Sequence, residues 1–282
     1  MAEDARPFRS VLYIPASNPR AMEKARDLPA DAIIFDLEDA VAAEAKVEAR
    51  QNLVAALTLG GYGGRVCIAR VNGLDTEWGR DDLTALAGVP VDGVLLPKVG
   101  DTAVLDQAAD ILPDIPLWAM METPAGIRNA GAIAGHRRMA GFVLGTNDLA
   151  KDLRCHPGAD RLPLMTSLQL CLLAAREAGI LCIDGVYNAF RDEDGLRHET
   201  MQGRDLGFDG KTLIHPAQIA VANEVFAPSP EEVELARRQI AAWEAAQAEG
   251  RGVAVVDGRI VENLHIVTAR QTLSRAAAIF GE

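Results

Sequence analysis

Two acidic residues stand where a chain could hold a metal ion. In residues 117–126, LWAMMETPAG, five apolar residues end abruptly in Glu122, and Thr123-Pro124 then offers a helix N-cap followed by proline at the first helical position. Residues 141–148, GFVLGTND, repeat the grammar: a small-and-apolar run ends in polar residues, the last of them Asp148. If the two runs are neighbouring parallel strands, about 4.8 Å apart, both carboxylates reach one cation. Oxygen ligands alone favour Mg²⁺, with Mn²⁺ second, over zinc. An ion held by two carboxylates keeps open positions that an α-hydroxy or α-keto acid fills through its carboxylate and adjacent oxygen, and it then acts as a Lewis acid. Helix capping or salt bridging is the alternative use of Glu122 and Asp148.

Arg70, in ARVNG, adds a charge that is never lost and a donor fork suited to an enolate or oxyanion. It also has partners to hand, since Asp36, Glu38 and Asp39 form an acidic cluster that can pair with Arg70 or Lys98 as a buried network. The two roles are compatible. His136, His156, His198 and His265 do not fall at strand ends, and there is no H-E-x-x-H.

These residues need a scaffold that gathers strand ends. Eight apolar segments, 11–14, 31–37, 65–71, 93–96, 117–121, 141–144, 181–186 and 210–214, are each followed by a plausible helix. Eight strand-helix units imply a closed (β/α)8 TIM barrel, α/β in class, more naturally than a doubly wound sheet. Neither G-x-G-x-x-G after the first strand nor G-x-x-x-x-G-K-[ST] is present to support the open sheet. Helix signals keep the register: Asn18-Pro19 opens one helix, 46–57 supplies another, 101–112 a third stopped by Pro113, and 164–178 a fourth that Gly179 ends. In such a barrel the polar strand-end residues share one face, adding Asp184, Tyr187 and His215 to those above.

The barrel is expected to occupy residues 1–228. Ser229-Pro230-Glu231-Glu232 then reads as a capping box opening a charged helix, and two short apolar strands flank the turn dipeptide Asp257-Gly258 before a last amphipathic helix. Residues 229–282 thus form an arm that packs on its own barrel or reaches over a neighbouring subunit.

Bulk properties narrow the class. With 282 residues, 49% of them hydrophobic, the chain can bury a full core, and a net charge of -12 argues against nucleic acid or an anionic membrane as partner. The opening MAEDARPFRS has no apolar signal-type segment and no apolar run spans a bilayer, so a cytoplasmic location is expected. Cys67, Cys155, Cys171 and Cys182 lack C-x-x-C spacing and read as core thiols.

The chain resembles the citrate lyase beta subunit and malyl-CoA lyase family, of the HpcH/HpaI aldolase type, over nearly its whole length. RSVLYIPASNPRAMEKA, DAIIFDLEDAV followed by Lys46 and Arg50, RVNG, PKV, METPAG, GTNDLA and DGKTLIHPAQI carry the likeness, with Ala16 where glycine is usual. The resemblance implies a TIM barrel assembled as a homotrimer or a dimer of trimers, with Mg²⁺ and a CoA thioester as substrate. Carried onto this chain, it makes Glu122 and Asp148 the metal ligands and Arg70 the substrate arginine. Tyr13, Asn18, Lys24, Asn147, Ile214 and His215 match positions that contact the thioester. Arg20 is a further basic candidate for the CoA phosphates, or else a solvated helix residue.

In the lyases of this family the arm supplies an aspartate to a neighbouring subunit's site; the matching residue here is Glu262, in DGRIVENLH. Glutamate is one methylene longer, which disfavours carbon-carbon cleavage. DGRIVENLHIVTARQTL, WAMMET, GTNDLAK and GVYNAF are most similar to the branch that hydrolyses (3S)-malyl-CoA to malate and CoA. On that reading Glu262 is the general base, unless it is merely a surface carboxylate of the hairpin. Reversible cleavage of malyl-CoA or methylmalyl-CoA, aldol cleavage of free keto acids, and a subunit active only with an acyl-carrier partner are the rival expectations.

Overall fold

Each of the eight apolar segments becomes a strand of one closed parallel barrel in the computed structural model, which describes residues 6–112 and 114–281. The strands are β1 Ser10–Pro15, β2 Ala32–Asp36, β3 Val66–Arg70, β4 Gly93–Leu96, β5 Leu117–Met121, β6 Met139–Leu144, β7 Leu181–Asp184 and β8 Gly210–Leu213. Neighbours pair in chain order and β1 closes on β8. Residues of β2 to β5 are buried throughout, which is why these strands read as apolar runs without alternation.

Alternate residues of each strand face inward. Val11, Ile34, Ile68, Leu95, Trp118, Val143 and Ile183 fill the barrel, with Phe8 packed on Trp118 at 5.6 Å between ring centroids. Gly141 has no side chain because a Cβ there would overlap the Trp118 ring. Higher in the barrel the same alternation turns Tyr13, Asp36, Arg70 and Glu122 toward the mouth. Asp36 and Arg70 are direct partners in the β2–β3 register.

The expected helix signals are found with small shifts in length. Asn18 caps Pro19–Lys24, Lys46–Leu59 follows β2, Ala103–Ile111 follows β4, and Met165–Ala178 ends at Gly179 in the left-handed conformation. Pro113, the expected stop of the third of these, and residues 1–5 lie outside the described residues. Cys67, Cys171 and Cys182 are free and buried, and Cys155 is half-buried.

The chain divides into two compact units, with the barrel in Phe8–Asn223 and the arm beginning at Glu224. In the arm, Ser229 caps Pro230–Ala248 through a reciprocal capping box with Glu232. An antiparallel hairpin follows, β9 Ala254–Val256 and β10 Arg259–Val261, turning on Asp257 and Gly258, both at positive φ. The helix Asn263–Phe280 completes the arm, and Ala246, Ala254, Val261 and Ile266 form its own small core with Trp243. Val255, Ile260 and Leu264 are each more than 60% exposed. No described helix is long and apolar enough to cross a membrane.

Candidate active site

At the mouth of the barrel lies a cavity of about 320 Å³ lined by Tyr13, Arg70, Glu122, Asn147, Asp148 and Ile214, among others. With Asp36 and Asp39, which also line it, eight of the residues singled out by sequence meet in one place. Asn18, Arg20, Lys24, His215 and Glu262 are not among its walls. Asn18 accepts the Ala21 amide at 3.1 Å as the cap of its helix, and Arg20 and Lys24 are exposed on that helix. His215 accepts the Ala217 amide at 3.1 Å and stacks on Phe190, 4.7 Å between centroids. Glu262 is exposed in the arm, where its amide donates to His265 Nδ1 at 2.9 Å.

Glu122 follows β5 directly and is 2% exposed. The Thr123 hydroxyl accepts the Gly126 amide at 3.1 Å and starts the helix Pro124–Arg128, so the chain turns away as soon as the carboxylate is placed. Oε1 accepts the Lys98 amide at 2.7 Å. Burial pushes the carboxyl up to about 7, and the Lys98 amide and the charges of Arg70 and Lys98 offset this only in part.

Asp148 departs from expectation. It does not terminate a strand: β6 stops at Leu144, Gly145 intervenes, and Asp148 sits in the first turn of the helix Thr146–Leu153. The polar run GTND was a helix start, where a carboxylate complements the exposed amides of the first turn. β5 and β6 are nonetheless parallel neighbours, with Met121 opposite Leu144, and Asp148 lines the same cavity as Glu122. Its carboxylate also lies 3.5 Å from Nζ of the exposed Lys151.

Asp184 also departs from expectation. Ile183 belongs to the barrel interior, so the next residue points the other way. The Asp184 carboxylate accepts Arg161 at 2.7 Å and Lys211 at 3.1 Å, held below the usual carboxylate range because these charges outweigh burial. Tyr187, two residues past Gly185, donates to Asp192 at 2.6 Å.

Arg70 is held on its carboxylate side. Nε and Nη2 donate to the two Asp36 oxygens at 2.7 and 2.6 Å, and Nη1 lies 2.9 Å from Glu38 and 3.6 Å from Asp39. Its guanidinium centre stands 5.0 Å from the Tyr13 ring centroid. Burial works against the charge, but the Asp36 bonds more than offset it and hold Arg70 above its ordinary pKa. Lys98 Nζ donates to Glu38 at 2.7 Å, completing the acidic network that the sequence allowed. Burial pushes the Tyr13 phenol well above its usual value, so it stays neutral, donating to Met120 Sδ at 3.4 Å.

Two contributors were not singled out by sequence. Lys46, known only as part of a motif, is buried and donates to the Leu37 and Glu38 carbonyls at 2.8 and 2.7 Å, pinning the acidic loop after β2. Asn188 lines the cavity and exchanges side-chain hydrogen bonds with Asn147 at 2.8 and 3.3 Å, joining the loop after β7 to the helix after β6. A lysine 10 residues past the acid that ends β2 is a readable signal for the first; the second lies within GVYNAF, where nothing distinguishes Asn188 as a cavity residue.

The donor set fits a hard divalent cation. Among the described residues no group of three or more His, Cys, Asp or Glu is arranged for a metal; of the four carboxylates lining the cavity, Asp36 and Asp39 face Arg70, and Glu122 and Asp148 are the two left for a cation. A buried carboxyl raised by desolvation is the kind of group that a cation would return to the charged form. Gly145 leaves room for it: a Cβ there would lie 2.5 Å from Glu122 Oε2.

A family profile described as HpcH/HpaI aldolase/citrate lyase matches residues 9–216. The chain belongs to this family. A second profile, C-C bond lyase of the TIM-barrel fold, matches residues 164–281. Within the HpcH/HpaI family, the (3S)-malyl-CoA thioesterase of Cereibacter sphaeroides is 63% identical over 279 residues, 99% of this chain and 98% of its own. The L-malyl-CoA/beta-methylmalyl-CoA lyase of the same species is 34% identical over 306 residues, 98% and 96% of the two chains. The protein CitE from Mycobacterium tuberculosis, solved in complex with magnesium, acetoacetate and coenzyme A, superposes with a TM-score of 0.82 at 32% identity, covering 98% of this chain and 99% of its own.

Proposed function

We propose that this protein hydrolyses (3S)-malyl-CoA to malate and CoA. The observation that carries the reading is the 63% identity, end to end, with a (3S)-malyl-CoA thioesterase, against 34% for a malyl-CoA lyase. The geometry supports it, because one cavity offers a carboxylate pair for a cation and a fixed arginine for a developing negative charge.

Glu122 and Asp148 would hold magnesium, or manganese in its place, and the ion would supply Lewis acidity toward the malyl group. Arg70, oriented by Asp36, polarises the thioester oxygen and stabilises its charge in the transition state. Glu262 takes a proton from water as the water oxygen bonds to the thioester carbon. The carbon-sulfur bond then breaks, and sulfur leaves with the electron pair and is protonated. Tyr13, Asn147 and Ile214 border the acyl and thioester portion; Asn18, Lys24 and His215 contact the CoA portion, with Arg20 toward its phosphates. Glu262 comes from a neighbouring subunit of a cytoplasmic homotrimer or dimer of trimers, a reading supported by the exposed apolar residues Val255, Ile260 and Leu264 that flank it.

The test is incubation of the isolated protein with malyl-CoA and Mg²⁺, with free thiol followed and glyoxylate trapped as its hydrazone. Free CoA without glyoxylate is expected. Stoichiometric glyoxylate with acetyl-CoA would make it a lyase, and activity that requires an added acyl-carrier protein would make it a subunit.

A further inference from the structure

Lys98 touches both halves of the site, one with its backbone and the other with its side chain. It follows β4 and Pro97, and its φ of +50° lies in the left-handed region, which residues with a Cβ enter at a disadvantage. In that conformation the amide donates to Glu122 Oε1 at 2.7 Å while Nζ reaches Glu38 Oε1 at 2.7 Å. Glu38 meets Arg70 through its other oxygen at 2.9 Å. An unbroken line of contacts therefore runs from Glu122 through Lys98 and Glu38 to Arg70.

Glycine would suit this backbone better than lysine, so the side chain must have a use. Asp36, Glu38 and Asp39 all crowd the Arg70 guanidinium. Lys98 gives Glu38 a second cation, and the charged tether in turn keeps the chain in the conformation that aims the amide at Glu122. We propose that Lys98 is a positioning residue that holds Glu122 for the cation through its left-handed amide and holds Arg70 for the substrate through Glu38. The Arg70 half rests on the proposed hydrolysis; the Glu122 half requires only a cation.

The experiment compares full-length wild type, Lys98→Gly and Lys98→Ala, each checked for folding by thermal melt. Binding is read by electron paramagnetic resonance titration of Mn²⁺, and turnover by malyl-CoA hydrolysis. Lys98→Gly should bind Mn²⁺ within about twofold of wild type, because glycine adopts the left-handed conformation freely. Its kcat should fall roughly tenfold or more, because Arg70 loses part of its support. Lys98→Ala, free to relax to negative φ without the tether, should bind Mn²⁺ about five- to tenfold more weakly. Alanine binding as tightly as glycine, or both binding as weakly as each other, would overturn the role of the amide. Wild-type kcat in Lys98→Gly would overturn the role of the side chain. Wild-type hydrolysis in the same assay tests the proposed function separately, and the order of Mn²⁺ affinities decides the Glu122 half even for a protein inert toward malyl-CoA.

Discussion

Glu122 ionises against the resistance of its surroundings, and that has a measurable sign. An ordinary glutamate loses its proton near 4.5, whereas burial raises Glu122 to about 7. Between these values the native protein keeps a proton that the unfolded chain has released. The stability contributed by neutral Glu122 is therefore full below about 4.5 and lost as pH rises through about 7. Metal-free protein should melt at a lower temperature at about pH 8 than at about pH 5, and Glu122→Gln should flatten that difference. Scanning calorimetry of both proteins in chelator tests this; parallel pH profiles would mean that Glu122 is not strained. Lysine keeps the charge but not the paired donors that lock onto Asp36, so Arg70→Lys should lower kcat/KM by on the order of 10²- to 10³-fold. Steady-state kinetics should place most of the loss in kcat. A variant retaining more than about a tenth of wild-type kcat/KM would take Arg70 away from the reacting centre.

Elements decide which of these residues meet. Gly145 is where β6 hands over to the helix carrying Asp148, and a Cβ there would overlap the Glu122 side chain. Gly145→Ala should thus lower stability by about 1–3 kcal/mol in urea unfolding and weaken Mn²⁺ binding together, since one displacement moves both ligands. Loss of stability with unaltered Mn²⁺ affinity would separate the loop from the site. The same junction shows what could be read in advance. Strands buried on both faces announce themselves as apolar runs, and the acid that ends β5 was visible because Thr123-Pro124 stops the chain there. Asp148 is legible as an acid but its element is not, because Gly-Thr-Asn-Asp is polar whether it ends a strand or begins a helix. Position alone puts Asp184 at the mouth, although one step of strand alternation sends it to Arg161 and Lys211. The Lys98 amide and the Asn147–Asn188 clasp depend on loop dihedrals and on pairings across 41 residues, which leave no local pattern.

Where Glu262 acts is fixed by assembly, because the barrel mouth and the arm are separate units of the chain. The arm itself was legible: the capping box at Ser229 and the Asp257-Gly258 turn are local signals, and both form as written. Which barrel the arm serves is a matter of assembly, and symmetry makes it testable. Glu262→Gln and Arg70→Lys should each be nearly inactive alone. When the two chains are mixed in equal amounts and reassembled, a site built from one subunit's barrel and another's arm is wild type only if the barrel comes from the Glu262→Gln chain and the arm from the Arg70→Lys chain. Random assembly makes about a quarter of all sites of that kind, so about a quarter of wild-type activity should return. If barrel and arm of one chain form the site, every site carries one of the two substitutions and no activity returns. Recovery near zero in demonstrably mixed oligomers, with both parent proteins folded and inactive, would place Glu262 in its own subunit's site, whereas a Glu262→Gln protein that is active alone would put the residue outside the chemistry.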